Sequence, residues 1–503
     1  MPKTIKYIGT QQRWPELAIT GKQSLWQPGQ QEERSDAEAA LLVATSLFDT
    51  VDVPVYQDPT TGALVGASQI IPAQSEASSG WSFASVASQA ARRSSVLKRF
   101  SDQIGVTYAN SGTSATPSID SASPFGRPAL KLVIPNGNTW AEVQLSGLGL
   151  ASFDDHVVWR VWIEDYTGIN QINVLAGTTG YGRYWQQNTL FNSSNTNRWN
   201  GEHACLTGPT RAASINTFVN GTDSLAETKI RITPVSGADR NVWIDAVVVP
   251  ARGPGVVLLT YDDGFRSWID YVHPDLRRNG LVGSFAFQSN LVGTNDTLYL
   301  NSGDIATLRA AGHEIAPHQV ANTRFNDGTS GTQTASQYQT AYRTCLAALR
   351  GYVGGAASCD YHPYVQGGVN QSLIDTLRAE GLRVGRGVDN LRHNFHTAGL
   401  GRGIYSLKTA YMDSNGPDLA TLIQAVDDCE RYGSTLVLMG HDFSPGADAA
   451  SALWSTENHS ALMDYIGSKL RANRIANMTA GAYGAAMYGA GLVERQYRLE
   501  IAA

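Results

Sequence analysis

Two adjacent carboxylates, Asp262 and Asp263, close the run VVLLTY and are followed by Gly264. At the end of a strand, neighbouring side chains point to different sides. One carboxylate can then bind a cation while the other stays free as a base. A second constellation reads Gly312-His313-Glu314-Ile315-Ala316-Pro317-His318-Gln319-Val320-Ala321-Asn322. The His313-Glu314 pair invites a zincin reading, but His-Glu-x-x-His requires its second histidine four residues on. His318 is five on, and Pro317 would break the necessary helix. What remains is His318 and Asn322, four apart and able to face one point from a single turn. A third candidate, His441-Asp442, follows the apolar run TLVLMG.

The elements that must position these groups follow from periodicity. From about residue 252 onward, strand-like runs (VVLLTY, VGSFAF, HEIAPH, RVGRGV, TLVLMGH, IANMTA) alternate with runs whose apolar residues recur at three and four. The latter include GDIATLRAAG, SQYQTAYRTCLAALRG, QSLIDTLRAEG, DLATLIQAVDDCERYG and ENHSALMDYIGSKL, several of them ending in Gly as helix C-termini prefer. Repeated βα units predict a parallel sheet closed into a (β/α) barrel over residues 251–490, with catalytic groups where strands end. Upstream, ALKLVI, WAEVQL, HVVWRVWI, INVLAG, TKIRIT and NVWIDAVVV alternate with period two between Gly, Asn and Pro turns. They predict an antiparallel β-sandwich of jelly-roll type over 96–250. Residues 76–95, rich in Ser, Ala and Gln, read as a linker, and 491–503 as a C-terminal tail. Residues 1–75 form a small mixed module. Within it Ser35-Asp36-Ala37-Glu38 before AALLVATSLF is a capping box opening a helix of about three turns.

In order and spacing, the chemistry-bearing residues resemble the motifs of the polysaccharide deacetylase family (the NodB homology domain). Thr260-Tyr261-Asp262-Asp263-Gly264 is close to the family's Thr-Phe-Asp-Asp-Gly, and GHEIAPHQVAN is similar to Gly-His-Glu-Ile-x-x-His-Thr-x-x-His. Tyr361-His362-Pro363-Tyr364 resembles Arg-x-Pro-Tyr, and Leu438-Met439-Gly440-His441-Asp442 resembles the late Leu/His motif that lines the acetyl pocket. The resemblance spans roughly half the chain. It implies a carbohydrate esterase of irregular barrel fold with one divalent metal ion, zinc being expected. By it, Asp262 is the base, Asp263, His318 and Asn322 are the metal ligands, Tyr364 lines the oxyanion site, and His441 is the acid. Asp389, after RVGRGV, is the candidate for tuning His441. Two departures stand out. Asn322 replaces a ligating His, which predicts weaker metal binding. Tyr361 replaces the Arg that orients the base, so Asp262 is expected to lose a charge-assisted partner and its pKa need not be held low. His393 and His396, in a nearby loop, are either a spare ligand or simply exposed.

The remaining features bound the setting. At ~150 residues per domain, 503 residues suggest about three domains. With 42% hydrophobic and 16% charged residues the chain has ample core material, so disorder and coiled coil fit poorly. Lys plus Arg at 38 against Asp plus Glu at 44 gives −6, and no basic cluster interrupts it, which argues against a nucleic-acid partner. No run approaches the ~18 apolar residues of a membrane helix, so no membrane insertion is expected. MPKTIKYIGTQQRWPEL lacks the apolar run of a secretory signal, so the chain is expected to fold in the cytoplasm of the cell that makes it. The four cysteines form no metal-ligand spacing, and free thiols are expected, with a Cys345–Cys359 bridge as the alternative.

YIGTQQRWPELAITGKQSLWQPGQQEERSDAEAALLVATSLF resembles N-terminal segments of tailed-phage virion proteins. That implies a phage tail spike, a homotrimer located in the virion and acting on capsule or O-antigen at the bacterial surface, with 1–75 for particle attachment. The alternative is a non-catalytic receptor-binding spike that keeps a deacetylase-shaped barrel as an adhesin. The sandwich is a possible carbohydrate-binding domain. For its aromatics (Trp159, Trp162, Trp185, Trp199, Tyr181, Tyr184), however, core packing is expected ahead of sugar stacking.

Overall fold

The computed structural model describes residues 95–489 apart from 114–115, 191–200, 209–217, 220, 251–254, 329, 356, 389–402, 414–415 and 447–453, together with short strands within residues 3–66. Met1–Pro72 forms one compact unit and Ala73–Ala503 another. In the first, strand Lys3–Tyr7 lies between Gln31–Arg34 and Phe48–Val51, antiparallel to both. The expected helix after Ser35 falls on residues 35–47, outside the described residues, as does the linker up to residue 94. Phe48, which closes the apolar run after Ser35, is the first residue of a strand and pairs with Tyr7.

In the second unit, two antiparallel sheets enclose one core. The first has strands Thr116–Asp120, Ala129–Ile134, Arg240–Val249, Val157–Ile163 and Gly201–Thr207 in that order, with Ser95–Arg99 also on Arg240–Val249. The second runs Tyr184–Leu190, Ile169–Gly177, Leu225–Pro234, Ala141–Leu150, Val106–Asn110. Ile230 and Ile232 are fully buried in the shared core, while Lys229 and Arg231 on the opposite face pair with Glu142. Trp159 and Trp185 are core residues, and Trp199 lies outside the described residues. On the outer side of the first sheet, Asp245 is 0% exposed. Arg127 Nε donates to its Oδ1 at 2.7 Å, and Arg160 Nη1 to its Oδ2 at 2.7 Å.

The rest of the unit is built from parallel strands: β1 (Gly255–Asp263), β2 (Ser284–Gln288), β3 (Glu314–Gln319), β4 (Tyr361–Pro363), β5 (Val384–Arg386), β6 (Ala410–Met412), β7 (Thr435–Gly440) and β8 (Ile475–Asn477). The helices are α1 (His273–Asn279), α2 (Ser302–Ala310), α3 (Ala335–Tyr352), α4 (Gln371–Arg378), α5 (Leu419–Tyr432), α6 (Thr456–Arg471) and α7 (Ala480–Gly489). The sheet order is β3-β2-β1-β7-β6, with β8 beside the start of β1, and β4 and β5 form a separate parallel pair. Capping explains the helix limits. Asn301 and Thr334 make reciprocal capping boxes at the starts of α2 and α3, and Gly433, at φ 60°, ends α5.

The ladder among the described residues is not continuous between β3 and β4. Pro317 and Pro363 lack the N–H a ladder needs. Two histidines bridge the gap reciprocally. His318 Nδ1 donates to Pro363 O at 3.0 Å, and His362 Nδ1 donates to Pro317 O at 2.8 Å. His362 Nε2 then accepts from the Tyr338 hydroxyl at 2.8 Å, and burial holds its pKa down at about 3, so it stays neutral. All four cysteines are free; Cys345, one of the two considered for a bridge, points its thiol at Phe287 O, 3.3 Å away.

Burial alone would raise the Asp245 pKa, but Arg127, Arg160 and Arg99 draw it below the ordinary carboxylate value. A depressed folded pKa stabilises the protein above the unfolded value of about 3.9. That stabilisation is lost as pH falls through the folded pKa. The sandwich should therefore weaken on acidification below about pH 4. Asp245→Asn should cost about 3 kcal/mol at neutral pH, because buried guanidinium is left without its carboxylate. Denaturant unfolding followed by fluorescence of the buried tryptophans, at several pH values, measures both.

Candidate functional site

Register brings the chemistry-bearing residues to one end of the parallel strands. Asp263 is level with Phe287 of β2, which is level with Pro317 of β3, immediately before His318. On the other side Tyr261 is level with Gly440 of β7, so His441 follows beside Asp262. Asp263 and Gly264 both have left-handed backbones, φ 86° and 92°. A non-glycine residue there is strained, and such strain concentrates at functional sites. It turns the chain sharply, so the two carboxylates diverge. Trp268 Nε1 donates to His441 O at 2.6 Å, and Ser267 Oγ donates to Asp442 Oδ1 at 2.6 Å, anchoring the segment that carries His441.

Asp262 is 3% exposed, and it does not lack a charge-assisted partner. Arg386, at the end of β5 and 0% exposed, donates from Nη2 to Asp262 Oδ2. Its Nε donates to the Tyr361 hydroxyl at 3.2 Å and its Nη1 to Gly387 O at 3.1 Å. The guanidinium expected at position 361 therefore enters from the neighbouring strand, and Tyr361 has become its acceptor. Burial raises the Asp262 pKa, but Arg386, His318 and His441 outweigh it, and the carboxyl sits below its ordinary value. The expectation of a base not held low is corrected by this contact. Asp262 Oδ1, also buried, has no hydrogen-bond partner. Sequence reasoning missed Arg386. Its one signal was the second of two arginines, Arg383 and Arg386, in the strand-like run RVGRGV.

Asp263 Oδ1 lies 3.5 Å from His318 Nε2 and accepts from Gln288 Nε2. Because His318 Nδ1 donates to a carbonyl, its Nε2 carries the lone pair when the ring is neutral. Two lone pairs facing each other call for a cation between them. The separation is close to the roughly 3.3 Å expected of two tetrahedral ligands with bonds of about 2.0–2.2 Å. The carbonyl-oriented imidazole is also what metal sites use to set the tautomer. The pair thus fits a divalent ion. Asn322 departs from expectation. His318 is in strand β3 and Asn322 in the bend beyond it, so they do not share a helical turn. The Asn322 Oδ1 accepts from Gln366 Nε2 at 3.1 Å. No three His, Cys, Asp or Glu side chains converge as a metal cage among the described residues.

Tyr364 also departs from expectation. Tyr364 is buried, with its hydroxyl against Gly385, and its N–H donates to Arg386 O at 2.9 Å, so neither group faces an open oxyanion site. Asp389, His393 and His396 lie outside the described residues. His313 and Glu314 serve the fold. His313 Nδ1 accepts from the Gly283 N–H at 3.2 Å, and Glu314 Oε2 accepts from the Gly481 N–H at 2.9 Å, docking the start of α7.

No family model matches the sequence, and no curated protein matches it. Solved structures similar to the chain include a family 4 acetyl xylan esterase from Clostridium thermocellum in complex with a cobalt ion. It shows 17% identity and a TM-score of 0.31 over 44% of this chain and 87% of that one. A Streptococcus pyogenes deacetylase in complex with acetate shows 14% identity and a TM-score of 0.26 over 30% of this chain and 62% of that one. A CE4 family pseudoenzyme from Bacillus anthracis shows 11% identity and a TM-score of 0.29 over 44% of this chain and 61% of that one. These neighbours are polysaccharide deacetylases and their relatives at low identity.

The Arg386 contact makes a stability prediction independent of activity. Arg386→Met should cost about 3–5 kcal/mol, since it strands a buried carboxylate. The double change Asp262→Asn with Arg386→Met should recover much of that loss. Denaturant titration of the three variants tests it, and additive losses would show that the two side chains are not coupled.

Proposed function

We propose that this chain is a metal-dependent hydrolase that removes acetyl groups from a bacterial surface polysaccharide, capsule or O-antigen, on an irregular (β/α) barrel. The observation that carries the reading is the buried Asp262, one oxygen clamped by Arg386 and the other unpartnered, beside the facing Asp263 and His318. A divalent ion held by Asp263 and His318, zinc by expectation, would polarise the acetyl carbonyl and acidify the attacking water. Asp262 Oδ1 takes the proton of that water, and Arg386 keeps the carboxylate ionised and aimed. His441 gives a proton to the leaving amine or alkoxide as the acyl bond breaks, releasing acetate. Gln288 holds Asp263 in place, and Ser267 and Trp268 hold the His441 segment.

The second reading, a non-catalytic adhesin, is favoured by the engagement of Asn322 with Gln366, which leaves two of the three expected ligands, Asp263 and His318, for an ion. The tail-spike setting, with residues 1–75 attaching a homotrimer to the virion, rests on the N-terminal sequence pattern. Light scattering of the full chain should give three copies, and a monomer would remove that setting.

Acetate release from a panel of capsules and O-antigens, with and without chelator, separates the two readings. Chelation should abolish release. Asp262→Asn and His441→Ala should each lower it by about 10²-fold while the fold persists, because each removes a proton-transfer group. Wild-type turnover in either variant would overturn its role. Asn322→His should tighten binding of one divalent ion per chain, measured by calorimetry with zinc. Unchanged affinity would show that position 322 does not face the ion.

A further inference from the structure

Gln288 closes β2 between the two candidate ligands. β2 pairs with β1 on one side and β3 on the other, and its Phe287 is level with both Asp263 and Pro317. Gln288 is level with Gln319, so the pairing skips His318 and the ladder bulges there. Bulges re-aim side chains and are frequent beside active sites. The Ser289 N–H donates to Gln319 O at 3.1 Å and the Asn290 N–H to Val320 O at 3.1 Å. These bonds fix the chain after Gln288 against the end of β3. Asp263, Gln288 and His318 thus stand at the ends of three adjacent strands, and they converge on one atom. Gln288 Nε2 donates to Asp263 Oδ1, and His318 Nε2 lies 3.5 Å from the same oxygen.

Gln288 is buried, and Asp263 is its only side-chain hydrogen-bond partner among the described residues. A glutamine amide carries an oxygen acceptor and N–H donors on one plane, and a half-turn about its last torsion exchanges them. Facing a carboxylate alone, the amide has to present its N–H. With a divalent ion between Asp263 and His318, that N–H would point at a positive charge, whereas the half-turned amide presents Oε1. Carbonyl oxygen is a usual ligand of divalent ions. Asn322, the residue expected in this place, is exposed, and its Oδ1 is engaged by Gln366 Nε2 at 3.1 Å.

We infer that Gln288 supplies the third protein ligand of the ion, through Oε1, the role expected of Asn322. The inference rests on the metal-dependent reading and also sets the character of the ion. One imidazole with a carboxylate and an amide oxygen favours zinc over manganese less strongly than two imidazoles would. The measurement is calorimetry with zinc and with manganese on the full-length protein after dialysis against chelator, joined to X-ray absorption at the zinc edge. The wild type should bind one zinc, with one imidazole in the scattering. Gln288→Leu should weaken zinc binding by about tenfold or more. Gln288→Glu, of the same shape, should tighten it, because a carboxylate oxygen takes the place of the amide oxygen. Were Gln288 only a donor steadying Asp263, that change would loosen the ion instead. Gln288→His should raise the imidazole count at zinc from one to two and widen the preference for zinc over manganese. A residue that merely steadies a neighbour cannot add an imidazole to the ion. Unchanged zinc affinity in Gln288→Leu, weaker binding in Gln288→Glu, or a single imidazole in Gln288→His overturns the inference while the ion itself stays. A wild type that binds neither metal removes ion and ligand together. A wild type that gives the expected zinc results yet releases no acetate from any polysaccharide counts against the deacetylase reading and leaves the ligand standing.

Discussion

A carboxylate cannot remain ionised in a dry interior without a fixed positive partner, and Asp262 has one in Arg386. Much of the parallel domain's layout serves that pair. β1 is buried along its length up to the carboxylates, which leaves Asp262 little access to water. β5 ends with Arg386 opposite it, and its other two nitrogens donate to the Tyr361 hydroxyl and to Gly387 O. An arginine held through each of its three nitrogens has one orientation, so the carboxylate it grips has one as well. The second oxygen of Asp262 is left without a hydrogen-bond partner.

The gap between β3 and β4 is a second constraint with consequences for chemistry. Prolines at matching places on both strands prevent a hydrogen-bonded ladder, and two imidazoles supply the missing donors. One of them, His362, is locked into the core by Tyr338 and carries no charge. The other, His318, spends its Nδ1 proton on the same task, which directs its Nε2 lone pair at Asp263. A device that closes the fold thus also sets the tautomer of a candidate metal ligand.

Much of the architecture was legible locally. Period-two alternation located sandwich strands such as Leu225–Pro234, where Ile230 and Ile232 are buried and Lys229 and Arg231 face outward. βα alternation located the parallel strands because both of their faces are covered. The helix α7 was not anticipated, since its sequence AGAYGAAMYG is apolar nearly all round and shows no face.

By itself the sequence determined where the carboxylates, His318 and His441 fall, at the ends of apolar runs, because hydrophobic periodicity and motif spacing are properties of neighbours along the chain. It did not determine who pairs with them. Arg386 reaches Asp262 across 124 residues, Gln366 reaches Asn322 across 44, and the Tyr364 N–H is consumed by a strand two elements away. Those partnerships depend on strand order and register, which come from packing separate elements around a common core. Only the tertiary structure could therefore decide that Asp262 has a guanidinium partner although position 361 is a tyrosine.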